Sequence, residues 1–302
     1  MKTRLIWLVL VFAFSAAAKN SFQRVEITQE VDSGDGPVLQ FVARYTYEDG
    51  NLVRVVTERD LNVDGTNDYQ SIVMYTYDSE GTRLASASET SSSLDPRLDA
   101  RARVTYRYDD QGKLAGTLVE VDSDLDGTID HISRVTLAYD EEGNIVRRVV
   151  ESDREADGIW ENVTTYTRTY DARGNLLTEL RETDADGNGT IDYIVRTSNT
   201  LDRRGNAVLG VTEIDYEADG VIDGTGRRTS TYDKEGNVLS SVSESYDTDG
   251  VPEGTFRVDY SYVYDAHGNL TRVTAANDWE ADGVVDVTEV TTYRYARVRD
   301  AR

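Results

Sequence analysis

Eight glycines return along this chain at an almost constant interval: Gly50, Gly81, Gly112, Gly143, Gly174, Gly205, Gly236 and Gly268. The step is 31 residues six times in succession and then 32. Four of these glycines (Gly143, Gly174, Gly236 and Gly268) sit in a turn of the full form Tyr-Asp-x-x-Gly-Asn, as in Tyr170 to Asn175, and the others keep part of it. A fixed short period means that one supersecondary unit has been copied, and it limits the fold to repeat architectures. In the unit ending at Asp157, the segment from His131 to Tyr139 (HISRVTLAY) is rich in β-formers and has no helical period. The segment from Ile145 to Glu151 (IVRRVVE) runs back after the turn. Two strands, a short turn and an acidic loop fill each period. The pattern predicts an all-β antiparallel meander of about 18 strands built from 31-residue hairpin repeats. The repeats alone leave open whether the sheet closes.

The turn chemistry points to a type I turn followed by a left-handed glycine, the three-residue hairpin with a G1 bulge. That register pairs Tyr139 with Ile145 and Val135 with Val149. It likewise pairs Tyr77 with Arg83, Val73 with Ala87, Tyr264 with Leu270 and Tyr260 with Thr274. One face then carries Tyr, Leu and Val, with Arg83 as an outlier, and Thr136, Thr167, Thr229 and Ser261 line the other. Arg103, Arg134, Arg196 and Arg227 mark one face, and Arg54, Arg147 and Arg272 the opposite one. A glutamate recurs before most loops (Glu58, Glu89, Glu120, Glu151, Glu182, Glu213, Glu244), opposite small residues such as Ser71, Ala102, Ser133 and Thr164 in this register. A cross-strand hydrogen-bonding role follows. The prolines Pro37, Pro96 and Pro252 fall in or beside loops, where no ladder donor is needed.

The second signature is Asp-x-Asp-x-Asp-Gly-x-x-Asp. Its best copy is Asp122, Asp124, Asp126 and Asp130, with Gly127 at the bend. Oxygens at alternate positions can converge on one hard cation, the Thr128 carbonyl is the natural next ligand, and Asp130 closes the sphere. Calcium takes six to eight such oxygens. Zinc wants the His or Cys that this chain almost lacks, and magnesium a stricter octahedron. Further copies are Asp60, Asn62, Asp64, Asp68; Asp153, Glu155, Asp157, Glu161; Asp184, Asp186, Asn188, Asp192; Asp215, Glu217, Asp219, Asp223; and Asp278, Glu280, Asp282, Asp286. A partial copy keeps Asp247, Asp249 and Glu253, with Ser245 in place of the first acid. The copy at Ser91, Ser93 and Asp95 is broken, and the loop from Asp32 to Gly36 is out of register. Six calcium sites follow, with a seventh if the partial copy binds.

Composition fits this reading. The formal charge is −24, but close to half of the 56 acids lie in these ligand slots, and the others roughly balance the 32 lysines and arginines. Nucleic acid is an unsuited partner, because the sequence shows no basic stripe. The absence of cysteine excludes disulfides and a lipid-bearing thiol. Lys2 and Arg4, the apolar run from Leu5 to Phe14 and Ala16-Ala17-Ala18 read as a signal peptide over residues 1–18. Residues 19–302 are then a single repeat domain of eight repeats with partial terminal units. Its expected place is secreted, periplasmic or at the cell surface, with no transmembrane segment after signal removal.

The Tyr-Asp-x-x-Gly-Asn-Leu segments, such as Tyr170 to Leu176, resemble the Rhs/YD repeats of bacterial secreted proteins and teneurins. That resemblance implies β-hairpins coiled into a curved sheet or shell. The acidic loops resemble the calcium-binding hairpin loops of integrin α-subunit and FG-GAP blades, matched at Asp122, Asp124, Asp126 and Asp130. Taken together, the features describe a secreted or cell-surface calcium-binding structural or adhesion protein whose ions rigidify the inter-hairpin loops, with a glycan or protein on the cell surface as the candidate partner. One alternative is a carbohydrate-binding surface using exposed tyrosines. Another is an outer-membrane barrel, which would need an unbroken apolar band that the arginines interrupt. No enzyme is expected: His131 and His267 do not repeat, no nucleophile elbow surrounds any serine, and the carboxylate pairs are explained as metal ligands. Trp160 and Trp279 occupy variable loop positions, where a packing role is the default.

Overall fold

The computed structural model describes residues 22–32, 37–61, 63–93 and 99–297. The proposed signal peptide, Asn62 and Pro96 lie outside the described residues, as do the loop over 33–36 and the centre of the broken loop. All regular structure among the described residues is strand. The first nine strands are β1 (Phe22–Asp32), β2 (Pro37–Glu48), β3 (Asn51–Asp60), β4 (Tyr69–Tyr77), β5 (Arg83–Ser92), β6 (Ala100–Tyr108), β7 (Leu114–Asp122), β8 (His131–Tyr139) and β9 (Ile145–Asp153). The rest are β10 (Asn162–Tyr170), β11 (Leu176–Asp184), β12 (Tyr193–Leu201), β13 (Ala207–Asp215), β14 (Gly224–Tyr232), β15 (Val238–Tyr246), β16 (Pro252–Tyr264), β17 (Leu270–Asp278) and β18 (Val287–Arg297). Each pairs antiparallel with its sequence neighbours, and β1 pairs with both β2 and β18. The meander therefore closes into an 18-stranded barrel, which removes every free sheet edge.

The tight turns form as their residues dictate. Gly143 has φ 92°, its N–H donates to the Asp140 carbonyl at 3.1 Å, and Asp140 N–H donates to the Asn144 carbonyl at 3.0 Å. This is a type I turn closed by a left-handed glycine. The aspartate side chain completes it: Asp140 Oδ1 accepts from Asn144 N–H at 2.7 Å and Oδ2 from Asn144 Nδ2 at 2.9 Å. Those amides hold the Asp140 carboxyl below the usual carboxylate range.

One residue beyond each turn, the register departs from the sequence reading. Tyr139 does face Ile145, but Ala138 faces Arg147, so Val146 is an unpaired bulge residue. Equivalent shifts leave out Leu84, Leu177 and Leu239. As a result Val135 faces Val150 rather than Val149, Val73 faces Ser88 rather than Ala87, and Tyr260 faces Ala275 rather than Thr274. A one-residue slip exchanges the two faces of the returning strand. Two corrections follow. Arg54, Arg147 and Arg272 are exposed on the same outward face as Arg103, Arg196 and Arg227. Most of the recurring glutamates face arginines or larger residues, not small ones: Glu120 faces Arg103, Glu151 faces Arg134, Glu213 faces Arg196 and Glu244 faces Arg227, whereas Glu182 faces Thr165. The hydrogen-bonding role itself is present, since Arg134 grips Glu151 through Nε–Oε2 and Nη2–Oε1 contacts of 2.5 Å each. Thr136, Thr167, Thr229 and Ser261 share this outward face.

The inward face carries the tyrosines, valines and serines. The tyrosine of the repeat ties neighbouring hairpins together. Tyr139 Oη donates to the Leu114 carbonyl at 2.8 Å, just past the point where β7–β8 pairing ends. Tyr77, Tyr108, Tyr170 and Tyr232 repeat the contact on Leu52, Arg83, Ile145 and Ala207 at 2.6–2.8 Å. Where the repeat has Leu201 in place of tyrosine, Asn199 Nδ2 reaches the Leu176 carbonyl at 3.2 Å instead. In the last full repeat, Tyr262 rather than Tyr264 makes the contact, to Val238 at 2.8 Å. Burial pushes the Tyr262 hydroxyl pKa up to about 12.

Only six apolar side chains are buried among the described residues: Ala43, Val258, Leu270, Val273, Ala275 and Tyr293. A sheet folded flat on itself would bury a whole apolar layer. Strands spaced about 4.8 Å apart and tilted by about 40° put an 18-strand wall at a radius of about 18 Å, wider than its inward side chains can fill.

Candidate metal centres on one rim

The tight turns occupy one rim of the barrel and the acidic loops the other. Five fully described loops, starting at Asp122, Asp153, Asp184, Asp215 and Asp278, share one hydrogen-bond frame, and the described part of the Asp60 loop follows it. The first aspartate ends a strand and is buried in all six, from 6 % exposure at Asp122 to 0 % at Asp215. Its carboxylate accepts the backbone N–H of the sixth-position glycine: Gly65, Gly127, Gly158, Gly189, Gly220 or Gly283, at 2.7–3.1 Å. The ninth-position acid reaches back to the N–H of the second residue, as Asp130 does to Ser123 at 2.7 Å and Glu161 to Arg154 at 2.7 Å. Asp68, Asp192, Asp223 and Asp286 do the same. The Ser123 hydroxyl and N–H hold the Asp130 carboxyl below its ordinary range. The fourth residue must turn left-handed, so Leu125, Ala156, Ala218 and Ala281 all have φ of 50–63°. Gly187 fills that slot in the Asp184 loop, where a Cβ would meet the Trp160 carbonyl oxygen at 2.0 Å.

This frame gathers carboxylates. In three loops the side-chain oxygens lie within 4.8 Å of one another: Asp122, Asp124 and Asp130; Asp153, Asp157 and Glu161; Asp184, Asp186 and Asp192. Asp126 and Glu155 stand outside these triads, and the loops at Asp60, Asp215 and Asp278 share the frame without a triad. Two unit charges at about 4 Å repel by as much as about 4 kcal/mol at an effective dielectric of 20. One atom singles out the best copy: Asp122 Oδ1 is buried and has no hydrogen-bond partner. An orphaned carboxylate oxygen beside two further carboxylates is a donor set that fits a hard divalent cation, and its all-oxygen chemistry fits calcium.

Two copies differ. The segment holding Asp247, Asp249 and Glu253 does not build this loop. Gly250 N–H donates to Asp247 O at 3.0 Å and Asp247 N–H to Val251 O at 3.1 Å, closing a tight turn like those on the opposite rim. Without a first acid to collect the amides, Asp247 takes them itself, and Glu253 lies on β16. The broken loop keeps one element that the sequence pattern had hidden: Asp99 Oδ1 accepts from Ser92 N–H at 2.8 Å, the ninth-position contact. Trp160 lies over the Arg134 guanidinium at 4.7 Å, in a packing role.

The barrel and its rim define an all-β repeat protein with clustered carboxylates. No family model matches the chain, and no curated protein matches it in sequence. Among solved structures, a porin-like protein from Bacteroides uniformis is similar at 10 % identity, over 90 % of this chain and 98 % of that one, with a TM-score of 0.45. The Tc holotoxin pore of Photorhabdus luminescens matches 87 % of this chain at 13 % identity and a TM-score of 0.19, and only 18 % of that chain is covered. Neither likeness carries an argument about function.

Proposed function

We propose that this chain is an exported, surface-exposed calcium-binding barrel, structural or adhesive in role, whose ions stiffen one rim. The observation that carries the reading is the unpartnered, buried Asp122 Oδ1 at the centre of an acidic triad. Calcium held by the first-, third- or fifth-, and ninth-position acids would cancel their repulsion and tie each loop to the two strands it joins. Because only the folded loop offers the donors together, binding would stabilise the fold by mass action.

Titration calorimetry on dialysed protein should give several equivalents of calcium, and thermal melts in EDTA should fall below those in calcium. Asp122→Ala should remove one equivalent and leave the others, since repeats couple chiefly to their neighbours. A melt that is identical with and without chelator rules the reading out.

Closure of the sheet favours a second reading, an outer-membrane barrel. Its outward face opposes it: Glu120, Glu151, Glu213 and Glu244 stand beside arginines where lipid tails would lie. Purification without detergent as a monodisperse protein supports the first reading, and recovery only in detergent supports the second.

A further inference from the structure

Ion pairs of arginine with acids lie mainly on the outward face of the wall: Arg44 with Glu26 and Glu58, Arg101 with Glu89, Arg134 with Glu151, Arg294 with Glu26, while Arg54, Arg147 and Arg272 stand exposed there with no acid among the described residues. Inside stand Arg59, Arg83, Arg148, Arg168, Arg181 and Arg228. Only Arg168 has an acidic partner, Glu179 at 2.6 Å. The other five have none among the described residues and stack on aromatic rings or bond to a hydroxyl. Arg83 lies 4.4 Å from the Tyr75 ring centre, Arg59 5.2 Å from Tyr69, Arg148 5.2 Å from Tyr166 and Arg181 4.6 Å from Tyr193. Arg228 Nε donates to Ser241 Oγ. The Nε atoms of Arg59, Arg83 and Arg181 are buried without any acceptor. The other acid facing inward among the described side chains, Glu289, is itself held toward its neutral form by burial. A protein of formal charge −24 therefore encloses a cationic, aromatic wall.

We infer that the inner wall binds a linear acidic polysaccharide, with carboxylates of the glycan taken by the unpaired guanidinium groups and sugar rings laid on the tyrosines. The best-formed stretch runs across three adjacent strands, where Arg148 faces Tyr166 and Tyr166 faces Arg181. The backbones of the two arginines lie two strands apart, about 9.6 Å, with Tyr166 on the strand between them; the Arg148 guanidinium lies over that ring and the Arg181 guanidinium over Tyr193 of the next strand. Planar guanidinium forks match carboxylates bidentately. An extended acidic peptide would present alternate side chains only about 6.8 Å apart and nothing to lie on the ring. The inference is independent of the calcium reading, since none of these residues is in an acidic loop.

The test is calorimetry with a size-defined oligogalacturonate in calcium-free buffer, so that rim loops cannot recruit the glycan through the metal. Binding that weakens with added salt is expected. Arg148→Gln with Arg181→Gln should weaken it by at least about tenfold, equivalent to about 1.4 kcal/mol. Arg147→Gln, one residue away but on the outward face, should leave it unchanged. Arg148→Lys with Arg181→Lys keeps the charge and the fold but loses the fork, and should bind between the two. No binding by the wild-type protein, equal loss on Arg147→Gln, or equal affinity for neutral dextran or for poly-glutamate would each overturn the inference. Calcium uptake measured on the same variants stays unchanged if the two sites are separate.

Discussion

Tyr262 and Tyr264 provide a test of how hairpins are joined, because the sequence motif and the structure disagree about them. Tyr264 occupies the motif position, immediately before Asp265, yet Tyr262 makes the inter-hairpin bond to Val238 O at 2.8 Å, and Tyr264 is 40 % exposed. Tyr→Phe removes one hydroxyl and leaves the ring. A part-buried neutral hydrogen bond contributes about 1 kcal/mol net, within roughly 0.5 either way. Tyr262→Phe should therefore cost about 1 kcal/mol, while Tyr264→Phe should stay within about 0.5, as exposed substitutions do. Clamps in successive repeats are two strands, about 9.6 Å, apart, so their losses should nearly add. The triple variant Tyr108→Phe, Tyr139→Phe, Tyr170→Phe should lose about 3 kcal/mol. Asn199→Ala should behave like a single clamp loss. Urea unfolding followed by far-ultraviolet circular dichroism at saturating calcium measures each value. If Tyr264→Phe costs as much as Tyr262→Phe, or the triple variant is indistinguishable from wild type, the hydroxyl clamp is not what joins the hairpins.

Two further expectations concern the rims. Gly187→Ala should destabilise the Asp184 loop by more than the usual 1 kcal/mol of a point substitution, because its Cβ would press on the Trp160 carbonyl of the preceding loop; calcium titration should show weakening at two adjacent sites, not at one. At low pH the opposite rim should loosen: Asp140, Asp171, Asp202 and Asp265 are held below the ordinary carboxylate range, chiefly by the side-chain amides of Asn144, Asn175, Asn206 and Asn269. A depressed folded value stabilises above the unfolded 3.8 and is lost as pH falls through the folded one, so melting temperature should drop below about pH 4, and an Asn144→Ala, Asn175→Ala double variant should flatten that drop.

The turns were legible in the sequence because they need residues with narrow conformational preferences: a left-handed glycine, an aspartate to accept amides, an asparagine to return the bond. The acidic loops were legible for the same reason, down to the convergence of the Asp122, Asp124 and Asp130 carboxylates. The bulge was not. Val146, Leu177 and Leu239 are ordinary strand residues, and nothing in their chemistry says that the partner strand skips them. That one missed residue moved Arg147 and Glu151 relative to their partners, while Arg83 keeps the expected place opposite Tyr77 and looked misplaced only as a charge on an apolar face. In the structure Arg83 is surrounded by Tyr75, Tyr77 and Tyr106. A signal for the tyrosine clamp did exist: Leu201 breaks the tyrosine series, and Asn199 supplies a polar group two residues earlier. Closure was illegible because it depends on twist and tilt summed over every strand, which no single repeat encodes.

Because β1 lies between β18 and β2, with Phe22 beside Arg297, the ring has a seam but no natural first strand. The two ends of the described chain emerge side by side, so joining them and reopening the molecule at any tight turn would permute the gene without altering the circumference. A lost or gained repeat is another matter. It must change the girth by two whole strands, and the size of this protein can therefore move only in discrete steps.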